Sequence, residues 1–236
     1  MKLKITLISD THCKHHQITD DLPGGDLLLF AGDIMGTGYK KDELHDFCGW
    51  FDSLDQYETK IFIAGNHDRI FENFPVEANM IVNQYPNITY LQDDCDSHFI
   101  NGSQDNFVSI YGSPWQPWFY SWAFNLPKNG PGLMSKWEAI PELTDILITH
   151  GPAFGYLDTV QGRRHENLGC ELLTERIKEI KPKIHVCGHI HTGHGYVFDG
   201  DTHFFNASVL NEDYNYAHKP FVFEWDPVTN EIIFPE

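Results

Sequence analysis

The chain has 236 residues, 41% hydrophobic and 21% charged, which is typical of a globular protein and predicts one domain over residues 1–236. Its formal net charge of −18, from 34 acidic and 16 basic residues, argues against binding to a nucleic acid polymer, whose phosphates it would repel. No apolar run reaches the roughly 20 residues of a membrane-spanning helix, so we expect no membrane insertion.

The five cysteines are widely spaced and form no CxxC pair, which argues against a disulfide framework and against a zinc finger. The first residues lead directly into a predicted strand, without the apolar core of a signal peptide. Reduced thiols and the lack of an export signal predict a cytoplasmic protein.

Short apolar runs bounded by turn residues predict ten strands, and apolar residues at helical spacing predict two helices. In chain order, the predicted strands are residues 4–9, 26–31, 60–64, 88–91, 107–111, 145–149, 184–187, 202–206, 221–225 and 231–234. The apolar positions of the first helix are Leu44, Phe47, Cys48, Phe51 and Leu54. Those of the second helix, which ends before Pro182, are Leu172, Leu173, Ile177 and Ile180.

Several predicted strands are apolar on both faces, as in residues 26–31. Such strands are typical of parallel or mixed sheets that are covered by helices. The order of strand, helix, strand, helix and then a strand-rich C-terminal part predicts an α/β fold with layered sheets and helices outside.

Polar clusters follow five of these strands, at the point where each strand ends. In open α/β sheets, ligand sites lie beyond the carboxyl ends of the strands, so the five clusters are expected to converge on one place. They are, in chain order, Asp10-Thr11-His12, Gly32-Asp33, Gly65-Asn66-His67-Asp68, His150-Gly151-Pro152 and Gly188-His189-Ile190-His191.

These clusters offer Asp, Asn and His side chains and no Cys, a combination that suits Mn, Fe, Zn, Ni or Co. Two ions about 3.5–4 Å apart need roughly this many ligands if one carboxylate bridges them. Asp33 is the candidate bridge, because Gly32 before it allows a tight turn. Because residues two apart point the same way from a strand, Asp10 and His12 are expected to face one ion.

The same spacing argument predicts that His189 and His191 reach neighbouring ions. A single histidine at a strand end is usually only a hydrogen-bonded polar group, so each motif taken by itself is weak evidence. The complete set, in this order and with each motif after an apolar strand, strongly favours a metal centre.

The ordered pattern D-x-H, G-D, G-N-H-[DE], a histidine and G-H-x-H over residues 10–191 resembles the calcineurin-like metallophosphoesterase superfamily. Residues 111–118, residues 122–125 and the Gly169-Cys170 pair resemble its metallophosphoesterase-domain-containing branch. Relatives often read His-Gly-Pro-Pro where this chain has Ala153 as the last of the four residues. That departure touches no proposed ligand and affects only the shape of the loop that follows.

The resemblance implies a four-layer α-β-β-α sandwich of two mixed β-sheets flanked by helices, with a dimetal site at the carboxyl ends of the strands. It also implies two divalent metal ions as cofactors, with Mn favoured over Fe, Zn, Ni or Co. The ligands it implies for the first ion are Asp10, His12, Asp33 and His191. Those implied for the second ion are Asp33, Asn66, His150 and His189.

In the implied mechanism, a hydroxide shared by the two ions attacks phosphorus in line with the leaving oxygen. The family pattern makes His67, beside Asn66, a donor to the phosphate and to the leaving group rather than a ligand. Asp68 is expected to orient the His67 imidazole, as carboxylates often do. The alternatives for Asp68 are a pair with Arg69 or the cap of a turn.

Residues 107–124 are rich in aromatic side chains, most of which we expect to pack in the core. Trp115 and Trp118, flanked by prolines, are the candidates for a substrate pocket able to stack on a base or an aryl group. Arg163 is a candidate phosphate contact, because a planar guanidinium binds phosphate well. A solvated loop arginine is the alternative for Arg163.

Together these features predict a metal-dependent phosphodiesterase acting on a small-molecule phosphoester, such as a cyclic nucleotide or an aryl phosphodiester. One alternative is a phosphomonoesterase or protein phosphatase. Another is a metal-binding interaction module without catalysis, against which the intact His67-Asp68 pair argues. The sequence leaves open the physiological substrate and the oligomeric state.

Overall fold

A computed structural model describes residues 2–103, 106–160 and 166–235, apart from the side chain of residue 101. The strands are β1 (Leu3–Ile8), β2 (Gly25–Phe30), β3 (Tyr57–Phe62), β4 (Thr89–Tyr90), β5 (Asp94–Phe99), β6 (Phe107–Ser113), β7 (Gln116–Pro117), β8 (Asn125–Leu126), β9 (Ile146–Thr149), β10 (Thr159–Val160), β11 (Glu166–Asn167), β12 (Ile184–Cys187), β13 (Gly195–Phe198), β14 (His203–Asn206), β15 (Phe221–Asp226) and β16 (Glu231–Ile233). The α-helices are α1 (Lys41–Asp52), α2 (Arg69–Asn73), α3 (Pro75–Val82), α4 (Pro131–Glu138) and α5 (Glu171–Ile180). Short 3₁₀ helices span His15–Asp21, Ile100–Gly102 and His191–Gly193.

Two six-stranded mixed sheets form the centre of the fold. The first has the order β16-β15-β1-β2-β3-β4, in which β1 to β4 run parallel and β15 runs antiparallel to β1. The second has the order β13-β14-β12-β9-β6-β5, with a parallel centre and antiparallel edge strands. Parallel neighbours end at the same edge of a sheet, so the loops after β1, β2 and β3, and those after β9 and β12, lie side by side.

The strands that are apolar on both faces are buried on both faces, as predicted. In β2, Leu27 and Leu29 pack between the two sheets, whereas Leu28 and Phe30 pack under the helices. Phe47 of α1 meets the Phe30 ring at a centroid distance of 5.0 Å. Helices α4 and α5 cover the other sheet around Leu147 and Phe204. This confirms the predicted helix–sheet–sheet–helix layering.

Each of the ten predicted strands overlaps an observed strand, and both predicted helices are present. The edge strands β5 and β13 were not predicted, because β5 is mostly polar and the apolar run of β13 is only three residues long. Helices α2, α3 and α4 were also missed, since they are short and carry little helical periodicity. Within the described ranges, no helix combines the length and the apolar character that crossing a membrane requires.

Candidate metal centre

The polar clusters after β1, β2, β3, β9 and β12 do converge, but not by the alternation of side chains along a strand. Asp10 (φ 56°), His12 (φ 42°), Asp33 (φ 59°) and His189 (φ 67°) all have left-handed backbone conformations. Asp10 and His12 do lie close together, as predicted. The predicted reason, which was alternation of side chains along a strand, was wrong, because neither residue has an extended backbone. Left-handed conformations are unfavourable for residues with a Cβ, so the surrounding fold must hold these turns in place.

Asp33 lies at the middle of the cluster and divides it in two. Its Oδ2 is 3.6 Å from His12 Nε2, and its Oδ1 is 3.4 Å from His150 Nε2. On the first side, His191 Nε2 lies 3.5 Å from Asp10 Oδ1. Each oxygen of one carboxylate thus faces a separate group of donors, which is the arrangement expected of a bridging ligand.

Asn66 completes the second side of the cluster. Its Oδ1 is 2.9 Å from His150 Nε2 and 2.7 Å from His189 Nδ1. The structure therefore brings together all seven side chains that were predicted as ligands. Asp33 lies beside His12 of one implied group and His150 of the other, and Asp10 also lies near Asp33 and His150.

Three of the histidines are oriented by main-chain carbonyls. The Nδ1–H groups of His12, His150 and His191 donate to the carbonyl oxygens of Met35, Ala31 and Asn211, at 3.2, 2.8 and 2.9 Å. In each neutral ring the Nε2 lone pair is then left for the interior of the cluster. An imidazole whose other nitrogen donates to a carbonyl is the usual form of a metal-ligating histidine.

The ligand atoms of the cluster are better suited to binding divalent cations than to hydrogen bonding with one another. His12 Nε2 is buried and has no hydrogen-bond partner among the described residues. When the His150 ring is neutral, its Nε2 and Asn66 Oδ1 face each other at 2.9 Å with lone pairs on both atoms. A cation between such acceptors removes their repulsion, and a set of nitrogen and oxygen donors without thiolate suits Mn, Fe, Zn, Ni or Co.

The electrostatics of the cluster favour positive charge. Burial opposes protonation of His150, but the negative charges of Asp33 and Asp10 outweigh it and raise the His150 pKa to about 9. Burial also opposes protonation of His191, yet its hydrogen bond to Asp10 and the charge of Asp10 raise its pKa to about 9. Burial alone would raise the Asp33 pKa, but the neighbouring histidines have the larger effect and hold it well below its usual range. The two carboxylates thus remain charged in the interior and attract cations.

Several contacts hold the Asp10 carboxylate in place. The Ser208 hydroxyl donates to Asp10 Oδ2 at 2.7 Å, and the His189 N–H donates to the same carboxylate at 3.1 Å. A Cβ at Gly188 would overlap Asp10 Oδ2, and one at Gly65 would overlap Asp33 Oδ1. These glycines are needed because the backbone passes directly against the carboxylates.

Asp68 does not orient His67, so that prediction was wrong. Its carboxylate accepts hydrogen bonds from the backbone N–H groups of Asp33, Ile34, Met35 and Gly65, at 2.7–3.2 Å. The side chain is fully buried and ties the turn that carries Asp33 to the turn that carries Asn66. Asp68 is a positioning residue for the candidate bridge.

His67 is held instead by a main-chain carbonyl and an aromatic ring. Its Nδ1–H donates to the Gly36 carbonyl oxygen at 2.6 Å, and its ring stacks on Trp122 at a centroid distance of 3.9 Å. The Arg69 guanidinium lies 4.5 Å from the Trp122 ring centroid. The His67 N–H also donates to Asp33 Oδ1 at 2.7 Å. These contacts leave Nε2 as the His67 ring atom available to the adjacent cavity.

A cavity of about 400 Å³ opens beside the cluster, lined by His67, Trp118 and Phe119 among others. The Phe119 ring meets the His189 ring edge-on at 5.1 Å, a contact that the sequence had not suggested. Trp115 does not line the cavity, so its prediction as a pocket residue was wrong. Its Nε1–H donates to Asp93 Oδ2 at 2.8 Å, and its ring packs on Phe124. Arg163 lies outside the described residues.

Residues 3–193 match the family model described as calcineurin-like phosphoesterase. The chain belongs to the calcineurin-like phosphoesterase family. It is 40% identical over 240 residues to human "Metallophosphoesterase domain-containing protein 1", an alignment that covers 94% of this chain and 70% of that protein. This confirms the resemblance to the metallophosphoesterase-domain-containing branch.

Solved structures support the fold. A Thermus thermophilus protein, TT1561, superposes with a TM-score of 0.63 at 13% identity, covering 100% of this chain and 99% of that one. A dimetal phosphatase from Danio rerio superposes with a TM-score of 0.54 at 10% identity, covering 93% and 91%. Family membership and the paired donor groups together make this protein a dimetal hydrolase of phosphoesters.

Proposed function

We propose that this protein is a phosphodiesterase that hydrolyses a small phosphodiester, such as a cyclic nucleotide or an aryl phosphodiester. The residues proposed to hold one ion are Asp10, His12, Asp33 and His191. Those proposed to hold the other are Asp33, Asn66, His150 and His189. When bound, the two ions lower the pKa of a water molecule and offset the negative charge that builds on the phosphoryl oxygens.

The charge of the residues that line the cavity favours a phosphodiester over a phosphomonoester as the substrate. Of the described residues that line it, Lys128 is the only lysine or arginine. Lys128 Nζ is already 3.4 Å from Glu171 Oε1, and Glu212 adds a negative charge to the lining. A phosphomonoester brings about two negative charges at neutral pH, whereas a diester brings one. The described part of the wall is thus weakly cationic, which suits the single charge of a diester better.

The apolar part of the lining suits an organic group on the phosphate. Trp118, Phe119, Val160 and Leu168 contribute to it. The Trp118 residue is 63% exposed, so its indole face is open to a ligand. Aromatic faces stack well on nucleobases and aryl groups, and a cyclic nucleotide or an aryl phosphodiester carries at least one such group.

His67 is the residue that we propose to act on the leaving group, with Asn66 beside it as a further phosphate contact. Because the Gly36 carbonyl accepts the Nδ1–H, a protonated His67 ring presents a second N–H at Nε2. That N–H can donate to a phosphoryl oxygen and can then protonate the departing oxygen.

Two further proposals concern the metal and the compartment. We propose Mn²⁺ as the ion to test first, because the proposed set of imidazole, carboxylate and amide ligands accepts it. All five cysteines are unpaired, which agrees with the reduced thiols proposed for a cytoplasmic protein.

The test compares two substrates that share one leaving group, bis(4-nitrophenyl) phosphate and 4-nitrophenyl phosphate, on the Mn²⁺-reconstituted protein. The proposal predicts a kcat/KM at least tenfold higher for the diester. Equal or higher kcat/KM for the monoester would show that the protein is a phosphomonoesterase. Cyclic nucleotides and a phosphopeptide extend the panel, and His67→Ala shows whether the measured activity comes from this site.

A further inference from the structure

A second group of potential ligands lies where the 3₁₀ helix His15–Asp21 packs on α1. His15 Nε2 is 3.1 Å from Asp46 Oδ2, and His16 Nε2 is 3.2 Å from Asp46 Oδ1. The three ligand atoms lie within 4.8 Å of one another. None of these residues belongs to the candidate dimetal centre.

The His15 side chain is fully buried, yet neither ring nitrogen has a hydrogen-bond partner in the described part of the chain. Nε2 approaches the Asp46 carboxylate without the alignment of a hydrogen bond. The ring packs against Trp50 at a centroid distance of 4.9 Å and against Phe47 at 5.7 Å, and these contacts fix its orientation. Burying an imidazole whose nitrogens make no aligned hydrogen bond is unfavourable, and Nε2 is the nitrogen that faces Asp46, so its presence here points to a ligand for Nε2.

The other two side chains reach the same place from the solvent side. The His16 side chain is 61% exposed and that of Asp46 is 55% exposed. Burial and the nearby His16 lower the His15 pKa to about 4, so this imidazole is neutral at physiological pH and has a lone pair to offer. The cluster thus has one rigid buried donor and two accessible donors, with room for water.

We propose that His15, His16 and Asp46 form a third metal site, which binds Zn²⁺ or a similar transition-metal ion with water completing the coordination. Two ligand atoms at Zn²⁺ bond lengths are about 3.4 Å apart in a tetrahedral site, close to the two distances observed. Two imidazoles and one carboxylate select such ions over Mg²⁺ and Ca²⁺. The ion joins the 3₁₀ helix to α1.

The test counts bound zinc by elemental analysis after dialysis of the whole protein against Zn²⁺. Asp46→Asn and His16→Ala are expected to bind one equivalent less than the wild type. Asp42→Asn, which removes the same charge from an exposed position on α1, is the matched control and keeps the wild-type stoichiometry. Equal zinc content in the wild type, Asp46→Asn and His16→Ala would overturn the proposal.

A second measurement does not depend on the dimetal centre. Zinc titration followed by NMR is expected to shift the ring resonances of His15 and His16 in the wild type, but not that of His15 in Asp46→Asn. Unchanged His15 and His16 resonances in the wild type would also overturn the proposal. If the dimetal proposal alone were wrong, the difference of one equivalent between wild type and Asp46→Asn would persist.

Discussion

The backbone N–H of Asp33 donates to the carboxylate of Asp68 at 3.0 Å, which joins the candidate bridging ligand to the turn after β3. Three more backbone N–H groups donate to the same carboxylate, which therefore acts as the common anchor of two site loops. Asp68, the acidic residue of the family motif G-N-H-[DE], therefore has a structural role in this chain, since it holds two loops of the site together.

Asp68→Asn is expected to lower the free energy of unfolding and to weaken metal binding. The amide replaces one acceptor oxygen by an N–H group, and each buried donor left without a partner costs about 1–3 kcal/mol. Urea unfolding measures the first effect and metal titration the second. Glu72→Gln, an exposed acidic residue on α2, is the control. Wild-type stability and metal affinity in Asp68→Asn would contradict the anchoring role.

Asp33→Asn is expected to reduce the occupancy of both ions at once. Its two oxygens face separate donor groups, and an amide offers only one oxygen and less negative charge. Elemental analysis of the purified variant after reconstitution with Mn²⁺ measures the loss. Retention of two full equivalents would show that Asp33 does not bridge.

His67→Ala is expected to keep both ions and to lower kcat by roughly 10²–10⁴, the usual contribution of a positioned acid or base. The hydrogen bond from His67 to Asp33 comes from the backbone N–H, which alanine retains, so the Asp33 carboxylate keeps this partner. Steady-state kinetics on an aryl diester, with metal content measured on the same sample, makes the comparison. Near-normal kcat would remove His67 from the chemistry.

Trp118→Ala is expected to raise KM for an aryl or nucleotide diester by roughly 5–150-fold, because stacking contributes about 1–3 kcal/mol per base. Trp115→Ala is the matched comparison. That ring packs on Phe124 and its Nε1–H binds Asp93, so its loss is expected to lower stability by about 3 kcal/mol instead. A higher KM in Trp115→Ala than in Trp118→Ala would reverse these assignments.

The convergence of the site was predictable because it depends only on strand order. Apolar runs locate the strands, and parallel neighbours bring their carboxyl ends to one edge, where Asp10, Asp33 and Asn66 follow their strands. The motif glycines were equally informative, since Gly65 and Gly188 lie against the carboxylates of Asp33 and Asp10.

The supporting contacts were not predictable from the sequence. Ser208 reaches Asp10 from the chain after β14, and Asn211 orients His191 through its backbone carbonyl, which any residue would provide. The role of Asp68 was missed for the same reason, because its partners are backbone N–H groups. Trp122 lay in a segment of many aromatic residues, and only three-dimensional packing distinguishes it as the ring that stacks on His67.

Acid is expected to destabilise the fold partly through His185, which is buried in β12 and is not one of the candidate ligands. Its Nε2 lies 2.8 Å from Thr149 Oγ1, whose own hydrogen is donated to the Gly151 carbonyl oxygen, so Nε2–H is the donor. Nδ1 is then a bare acceptor without a partner among the described residues. Burial lowers the His185 pKa from 6.5 to about 3.

At pH values between about 3 and 6.5, His185 binds a proton in the unfolded chain but not in the folded chain. The free energy of unfolding therefore decreases as the pH falls from about 6.5 toward 3, by up to about 1.4 kcal/mol per pH unit from this group. In His185→Gln, which keeps an N–H for Thr149 but does not titrate, the decrease is expected to be shallower. Urea unfolding of both proteins between pH 7 and pH 5 measures the two slopes. Parallel slopes would mean that His185 is protonated in the folded state or that its pKa is unaffected by burial.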